Sequence, residues 1–176
     1  GGLWKTSDEG ENWEVLTDQL PVMGVSAIAI HPANPDIIYI GTGDRDANDN
    51  YSIGVLKSLD AGYTWELTGL DWEITQNRTI AKLLINPDNP DILFAATTNG
   101  VYKTTDAGLT WYNVQAGDID DMEFKPGDPN TVYAVTQNFY KSTDGGESFT
   151  QISGVPGTNR AQIAVTGNNP EYVYFF

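Results

Sequence analysis

The chain contains no cysteine, which excludes disulfides and thiolate metal sites. It has one histidine, His31. A histidine cluster therefore cannot hold a metal, and a Ser-His-Asp triad could run only through that residue. Basic residues are scarce: 9 Lys and Arg stand against 24 Asp and Glu, a formal net charge of −15 over 176 residues. That imbalance opposes binding to a phosphate backbone, which needs clustered Lys and Arg, so no nucleic acid is expected as a partner. It also opposes adsorption to an anionic membrane, and suits cations or neutral ligands such as glycans. No apolar run approaches the length of a membrane span, so no membrane insertion is expected. Amphipathic stretches of helical period and useful length are missing, as are phosphate loops and dinucleotide fingerprints. The chain opens Gly1-Gly2-Leu3-Trp4, without Met or a signal peptide, as expected of a window cut from a longer parent chain.

What the chain does have is repetition. The stretch Lys103-Thr104-Thr105-Asp106-Ala107-Gly108-Leu109-Thr110-Trp111 has near-copies at 5–13, 57–65 and 141–149. The shared pattern is Lys-[Ser/Thr]-x-Asp-x-Gly-x-[Thr/Ser/Asn]-[Trp/Phe]. The Asp carboxylate accepts backbone N–H groups further along and closes a turn. The Gly takes φ > 0 without a Cβ clash. The aromatic residue opens a new strand and packs beside the hairpin. Each copy reads as strand, tight turn, strand, and Asp8, Asp60, Asp106 and Asp144 are expected to close those turns.

A second repeat alternates with the first. Apolar strands flank a turn at His31-Pro32-Ala33-Asn34-Pro35-Asp36 and again at Asn86-Pro87-Asp88-Asn89-Pro90-Asp91. A third copy surrounds Lys125-Pro126-Gly127-Asp128-Pro129-Asn130 and a weaker one surrounds Gly167-Asn168-Asn169-Pro170-Glu171. Together the two repeats make four strands per unit, A to D. Successive turn aspartates lie 52, 46 and 38 residues apart, and four strands in roughly 40–50 residues is the signature of a propeller blade. The predicted fold is all-β: one domain over 1–176, a β-propeller or an arc of a larger one, built from four-stranded antiparallel blades. Blades are expected near 25–68, 79–115 and 118–152, with strands C and D of another at 1–17 and strands A and B of another at 160–176. Sixteen strands could close as a four-bladed ring; the arc is preferred.

The first repeat is the Asp-box, or BNR repeat, and the sequence resembles Asp-box propellers: sialidases, family 74 xyloglucanases and sortilin-type domains. It looks most like the sortilin- and xyloglucanase-like propellers of large secreted bacterial proteins, including type IX secretion cargo. The resemblance implies a secreted or cell-surface location. It leaves the activity open, because the box is a folding device in all of these families. The expected function is a non-enzymatic scaffold or binding module that presents loops to a protein or glycan. The alternative is a portion of a glycoside hydrolase of the xyloglucanase or sialidase sort.

Strand alternation puts the A–B turns and the boxes at one end of the blades, and the B–C and D–A loops at the other, where propeller ligands usually sit. Two of those loops are long, 43–52 and 69–78. Asp44, Asp46, Tyr51, Asp71, Trp72, Glu73 and Arg78 are the candidate ligand-binding residues, as aromatic faces stack on sugar rings and carboxylates bond hydroxyls. Asp44, Asp46, Asn48 and Asp49 offer oxygens at close spacing, a candidate Ca²⁺ site. It is not an EF-hand, since Asp49 and Val55 stand where that loop needs Gly and Glu. The three arginines, Arg45, Arg78 and Arg160, are expected to bond carbonyls or carboxylates between blades rather than a substrate. No catalytic residue is assigned.

Overall fold

The computed structural model describes residues 2–45, 50–155 and 160–176. Among them run sixteen strands and one short 3₁₀ turn, Ile74–Gln76. The strands form five antiparallel sheets in chain order. The first is a pair, β1 (Trp4–Lys5) and β2 (Glu14–Val15). The second joins β3 (Val25–Ile30), β4 (Ile38–Thr42), β5 (Gly54–Ser58) and β6 (Glu66–Asp71). The third joins β7 (Ile80–Ile85), β8 (Leu93–Thr97), β9 (Gly100–Thr104) and β10 (Tyr112–Gln115). The fourth joins β11 (Asp121–Lys125), β12 (Asp128–Val135), β13 (Phe139–Ser142) and β14 (Thr150–Ile152), and the fifth is the pair β15 (Ile163–Val165) and β16 (Val173–Phe175). The all-β propeller architecture expected from the repeats is the one observed.

The second strands explain the continuous apolar runs in the sequence. All residues of β4 and β8, and Thr131–Val135 of β12, are buried. Such a strand is covered on both faces, so its sequence shows no alternation. Its side chains still alternate in direction. Ile38 and Ile40 of β4 pack with Leu3 and Leu20 near the first sheet, while Tyr39 between them packs with Ile80 and Leu83 of the third. One register on, Phe94 and Ala96 face Met122 and Val132 of the fourth sheet. Tyr133 and Val135 then face Ala161 and Ile163 beside the fifth. The first strands β3, β7, β11 and β15 neighbour one another in turn, which puts them at the centre and the fourth strands at the rim.

Every box closes in the same way. Thr6, Ser58, Thr104 and Ser142 each donate a hydroxyl to the box aspartate and accept the N–H of the box glycine. The Oδ1 that accepts this hydroxyl also accepts the backbone N–H of the residue four on, Asn12, Thr64, Thr110 or Ser148, and Oδ2 accepts that residue's side chain. The residue before the glycine is left-handed in each box: φ is 61° at Glu9, 59° at Ala61, 56° at Ala107 and 71° at Gly145. In the second, third and fourth sheets that residue also donates its N–H to the A–B turn, at Asp36, Asp91 and Asn130. The two repeated turns therefore share one end of the molecule. His31 is a turn residue there: its Nδ1 accepts the N–H groups of Ala33 and Asn34, the task Asn86 Oδ1 performs for Asp88 and Asn89.

The box lysine does a job the motif alone does not reveal. Lys5, Lys57 and Lys103 each reach the next sheet and donate to the carbonyl of its left-handed box residue, Ala61, Ala107 and Gly145, at 3.3, 3.2 and 2.8 Å. Each box is thereby fastened to its successor.

The hydrogen bonds hold the box carboxylates ionised. Asp8 and Asp106 are lowered to about 2, chiefly by the N–H of Asn12 and the hydroxyl of Thr110 respectively. Asp60 and Asp144 are lowered too, chiefly by the hydroxyls of Thr64 and Ser142. A carboxylate depressed in the folded state adds stability that is complete above its unfolded value, near 4, and is lost as pH falls through the folded value. Urea midpoints are therefore expected to hold steady from neutral pH down to about 5 and to fall between about pH 4 and 2. A flat midpoint across that window would show that the cages do not stabilise the fold.

Candidate functional site

At the end opposite the boxes lies a cavity of about 820 Å³. Its walls come from the loops after the second strands (Gly43–Arg45 and Thr136–Asn138), from the first residues of β3 and β7, and from the segments that lead into β11 and β15. These segments contribute Ser26, Ala81, Asp118, Asp120, Arg160 and Gln162. The lining is polar: carboxylates, amides and guanidinium groups of opposite charge, with little aliphatic surface.

Arg45 organises this wall. Its Nη2 donates to Asp118 Oδ1 at 2.7 Å and to Asp120 Oδ1 at 2.8 Å. The bond joins the second sheet's loop to the segment entering the fourth, passing over the third. Asp120 uses its other oxygen to accept the N–H of Ala161 at 3.3 Å. Burial pushes the Asp118 carboxyl up, Arg45 pulls it down and the neighbouring Asp120 pushes it up again, with a net rise. One residue further on, Asp121 is buried and accepts the N–H groups of Met122 and Ile163. Lys82 of β7 sits 3.2 Å from Asp121 and 2.9 Å from Glu123. Burial alone would lower the Lys82 ammonium, but the hydrogen bond to Glu123 and the charge of Asp121 raise it. Ion pairs thus tie three sheets together behind the cavity.

The candidates read from sequence are scattered by the fold. Asp44 lines the cavity. Asp46, Asn48 and Asp49 lie outside the described residues. Tyr51 is half-buried beside that loop. Trp72 is 8% exposed and joins the core between the second and third sheets, with Arg78 stacked 5.3 Å from its ring centre and Tyr102 edge-on at 6.1 Å. That ring is a packing residue rather than a sugar platform, because its surface is already covered. Asp71 ends β6 and Glu73 leads the 3₁₀ turn, its N–H bonded to Gln76; both are exposed and neither lines the cavity. Among the described residues no group of three or more His, Cys, Asp or Glu is placed to hold a metal ion.

The residues that sequence reasoning missed are Asp118, Asp120, Gln137, Asn138 and Gln162. Loop length is only a partial guide. The long 43–52 loop supplies Gly43, Asp44 and Arg45, but none of 69–78 lines the cavity, and the short link Thr136–Asn138 does. The acidic run Asp118-Ile119-Asp120-Asp121, just ahead of a first strand, is the signal that could have found them.

Comparison with known proteins bears on what this wall can do. The Sortilin-Vps10 family model (sortilin, neurotensin receptor 3) matches residues 1–135. The xyloglucanase Xgh74A of Acetivibrio thermocellus is 29% identical over 89% of the chain, which covers 23% of that protein. A xyloglucanase of a Paenibacillus species is 27% identical over 89% of the chain and 19% of its own length. Among solved structures, an ancestral GH74 enzyme superposes with a TM-score of 0.77 at 23% identity, over 95% of this chain and 23% of that one; this likeness is one of fold. The chain spans about a fifth of the length of the curated relatives it matches. These relatives overturn the expectation of a non-enzymatic scaffold, since proteins alike over most of this chain are enzymes.

Proposed function

The chain belongs to the Sortilin-Vps10 family, and from that premise we propose that it is a segment of a glycoside hydrolase acting on xyloglucan-type polysaccharide. The observation that carries the reading is the 27–29% identity to xyloglucanases across 89% of the chain. The wall chemistry agrees with it. A neutral polysaccharide offers hydroxyl groups that both donate and accept, and Asp44, Asp118, Gln137, Asn138 and Gln162 supply acceptors and donors around the cavity. The polar lining and the surplus of acidic groups fit a neutral glycan better than an anionic one. Glycoside hydrolysis uses two carboxyl groups across the scissile bond. In this reading the chain contributes a substrate-binding wall, and the longer hydrolase completes the reacting pair. A polymer substrate does not enter cells, so the enzyme works outside them.

The test is titration of the chain with xyloglucan oligosaccharides by calorimetry. Binding is expected, weakened about tenfold in Asp118→Asn through loss of a charged acceptor. Silence at millimolar oligosaccharide, for this chain and for any longer protein containing it, would overturn the reading.

A further inference from the structure

Resting on that reading, we infer that Arg45 is a positioning residue for glycan binding: it holds the Asp118 and Asp120 carboxylates side by side, so that Asp118 presents its exposed carboxylate to sugar hydroxyls in the cavity. Three observations lead there. Both Oδ1 atoms bond the same Nη2, so they lie no farther apart than those two bond lengths together. Two carboxylates so close repel each other, and one of them takes up a proton unless a cation compensates. Arg45, 21% exposed at its side chain, is that cation.

The division of labour between the two carboxylates follows from their remaining oxygens. Asp120 is 15% exposed and spends its second oxygen on Ala161. It is an anchor. The Asp118 side chain is 58% exposed at the cavity, and its Oδ2 accepts no hydrogen bond from any described residue. It is the group left to meet a ligand. Among the described residues, the charged groups around the pair are Asp44 and Arg45 from the loop after β4, Asp121 on β11, Lys82 from β7 and Arg160 ahead of β15. Lys82 is engaged by Asp121 and Glu123, while Arg45 bonds Asp118 directly.

Removing the guanidinium removes the positive charge that favours the carboxylate, so Asp118 should titrate at higher pH and lose acceptor strength. Two readouts separate this from a merely structural role. Carbon-detected NMR of the Asp118 carboxyl should show its titration moving up by about one pH unit in Arg45→Met and staying near the native position in Arg45→Lys. Calorimetry with xyloglucan oligosaccharide should show binding weakened about tenfold in Arg45→Met, with the acid limb of the affinity–pH curve moved the same way, and largely restored in Arg45→Lys. An unmoved Asp118 titration in Arg45→Met overturns the inference, whatever the binding result. If wild type binds and Asp118→Asn weakens it while Arg45→Met does not, the inference fails and the hydrolase reading stands. If neither the wild-type chain nor a longer protein containing it binds, the reading itself has failed and the inference with it.

Discussion

Replacing Phe94 by Ala is expected to cost about 3–5 kcal/mol, the range for removing a large buried ring. Phe94 is 1% exposed and lies on β8, with its ring turned to the fourth sheet. It meets Phe124 edge-on at 5.8 Å and carries the ammonium of Lys103 at 5.7 Å from its centre. It also occupies the space beside the next box: a Cβ on Gly146 would stand 2.4 Å from the ring. The box glycine is thus required twice, by a φ of 79° and by this ring. Removing the ring leaves a cavity where a core, a lysine bond and a turn meet, with rigid sheets on either side that cannot close over it. Since domains of this kind are stable by only about 5–15 kcal/mol, the loss takes a large share. Urea denaturation of Phe94→Ala and Phe94→Leu checks it: the midpoint should fall with little change of slope, the Leu variant by roughly half as much. A loss below about 1 kcal/mol would mean that the sheets re-pack, contrary to the geometry.

Gly54→Ala is expected to be nearly as damaging, for a different reason. Gly54 has a φ of 107° and pairs with Asp71 across β5 and β6. A Cβ there would lie 2.0 Å from the carbonyl oxygen of Leu70, a backbone atom in a paired strand. Its N–H donates to Ser52 Oγ and its carbonyl accepts from Thr42 Oγ1, both buried. The substitution must adopt a backbone region hostile to L-residues and also push β5 and β6 apart, for a cost of about 3 kcal/mol or more. For a chain of this size that lowers the melting temperature by roughly 6–12 °C. Gly167→Ala, where an added Cβ meets nothing within 4 Å and φ is ordinary, is the control and should change stability by less than about 0.5 kcal/mol. Equal melting temperatures for the two variants would refute the assignment. Because Gly54 anchors the loop that carries Asp44 and Arg45, its variant should also weaken the bond to Asp118.

The boxes were legible because their chemistry is local. Thr104, Asp106, Gly108 and Thr110 bond one another across two to four residues, so spacing alone encodes the turn. The second strands were legible because burial on both faces leaves an unbroken apolar run. The Asn-Pro-Asp turns, His31 included, followed from side-chain oxygens and nitrogens that cap their own backbone. The role of the box lysine was not legible, since Lys5 and its acceptor Ala61 are 56 residues apart. Nor was the partnership of Arg45 with Asp118, 73 residues away. Trp72 misled because an aromatic residue in a long acidic loop reads as a ligand platform until its neighbours are known.

Function was legible only in outline. The glycoside hydrolase stood second to a scaffold because the repeated motif rivets sheets in enzymes and non-enzymes alike. The sequence by itself determined what bonds within a few residues can determine: the turns, the strands they join, the grouping of four strands to a sheet, and the exclusion of thiolate and histidine-cluster chemistry. Only the tertiary structure decided which carboxylates face a cavity and which residue holds them there. That choice depends on how far each sheet is rotated from the last, a quantity set by the sum of many packing contacts and written in no single stretch of chain.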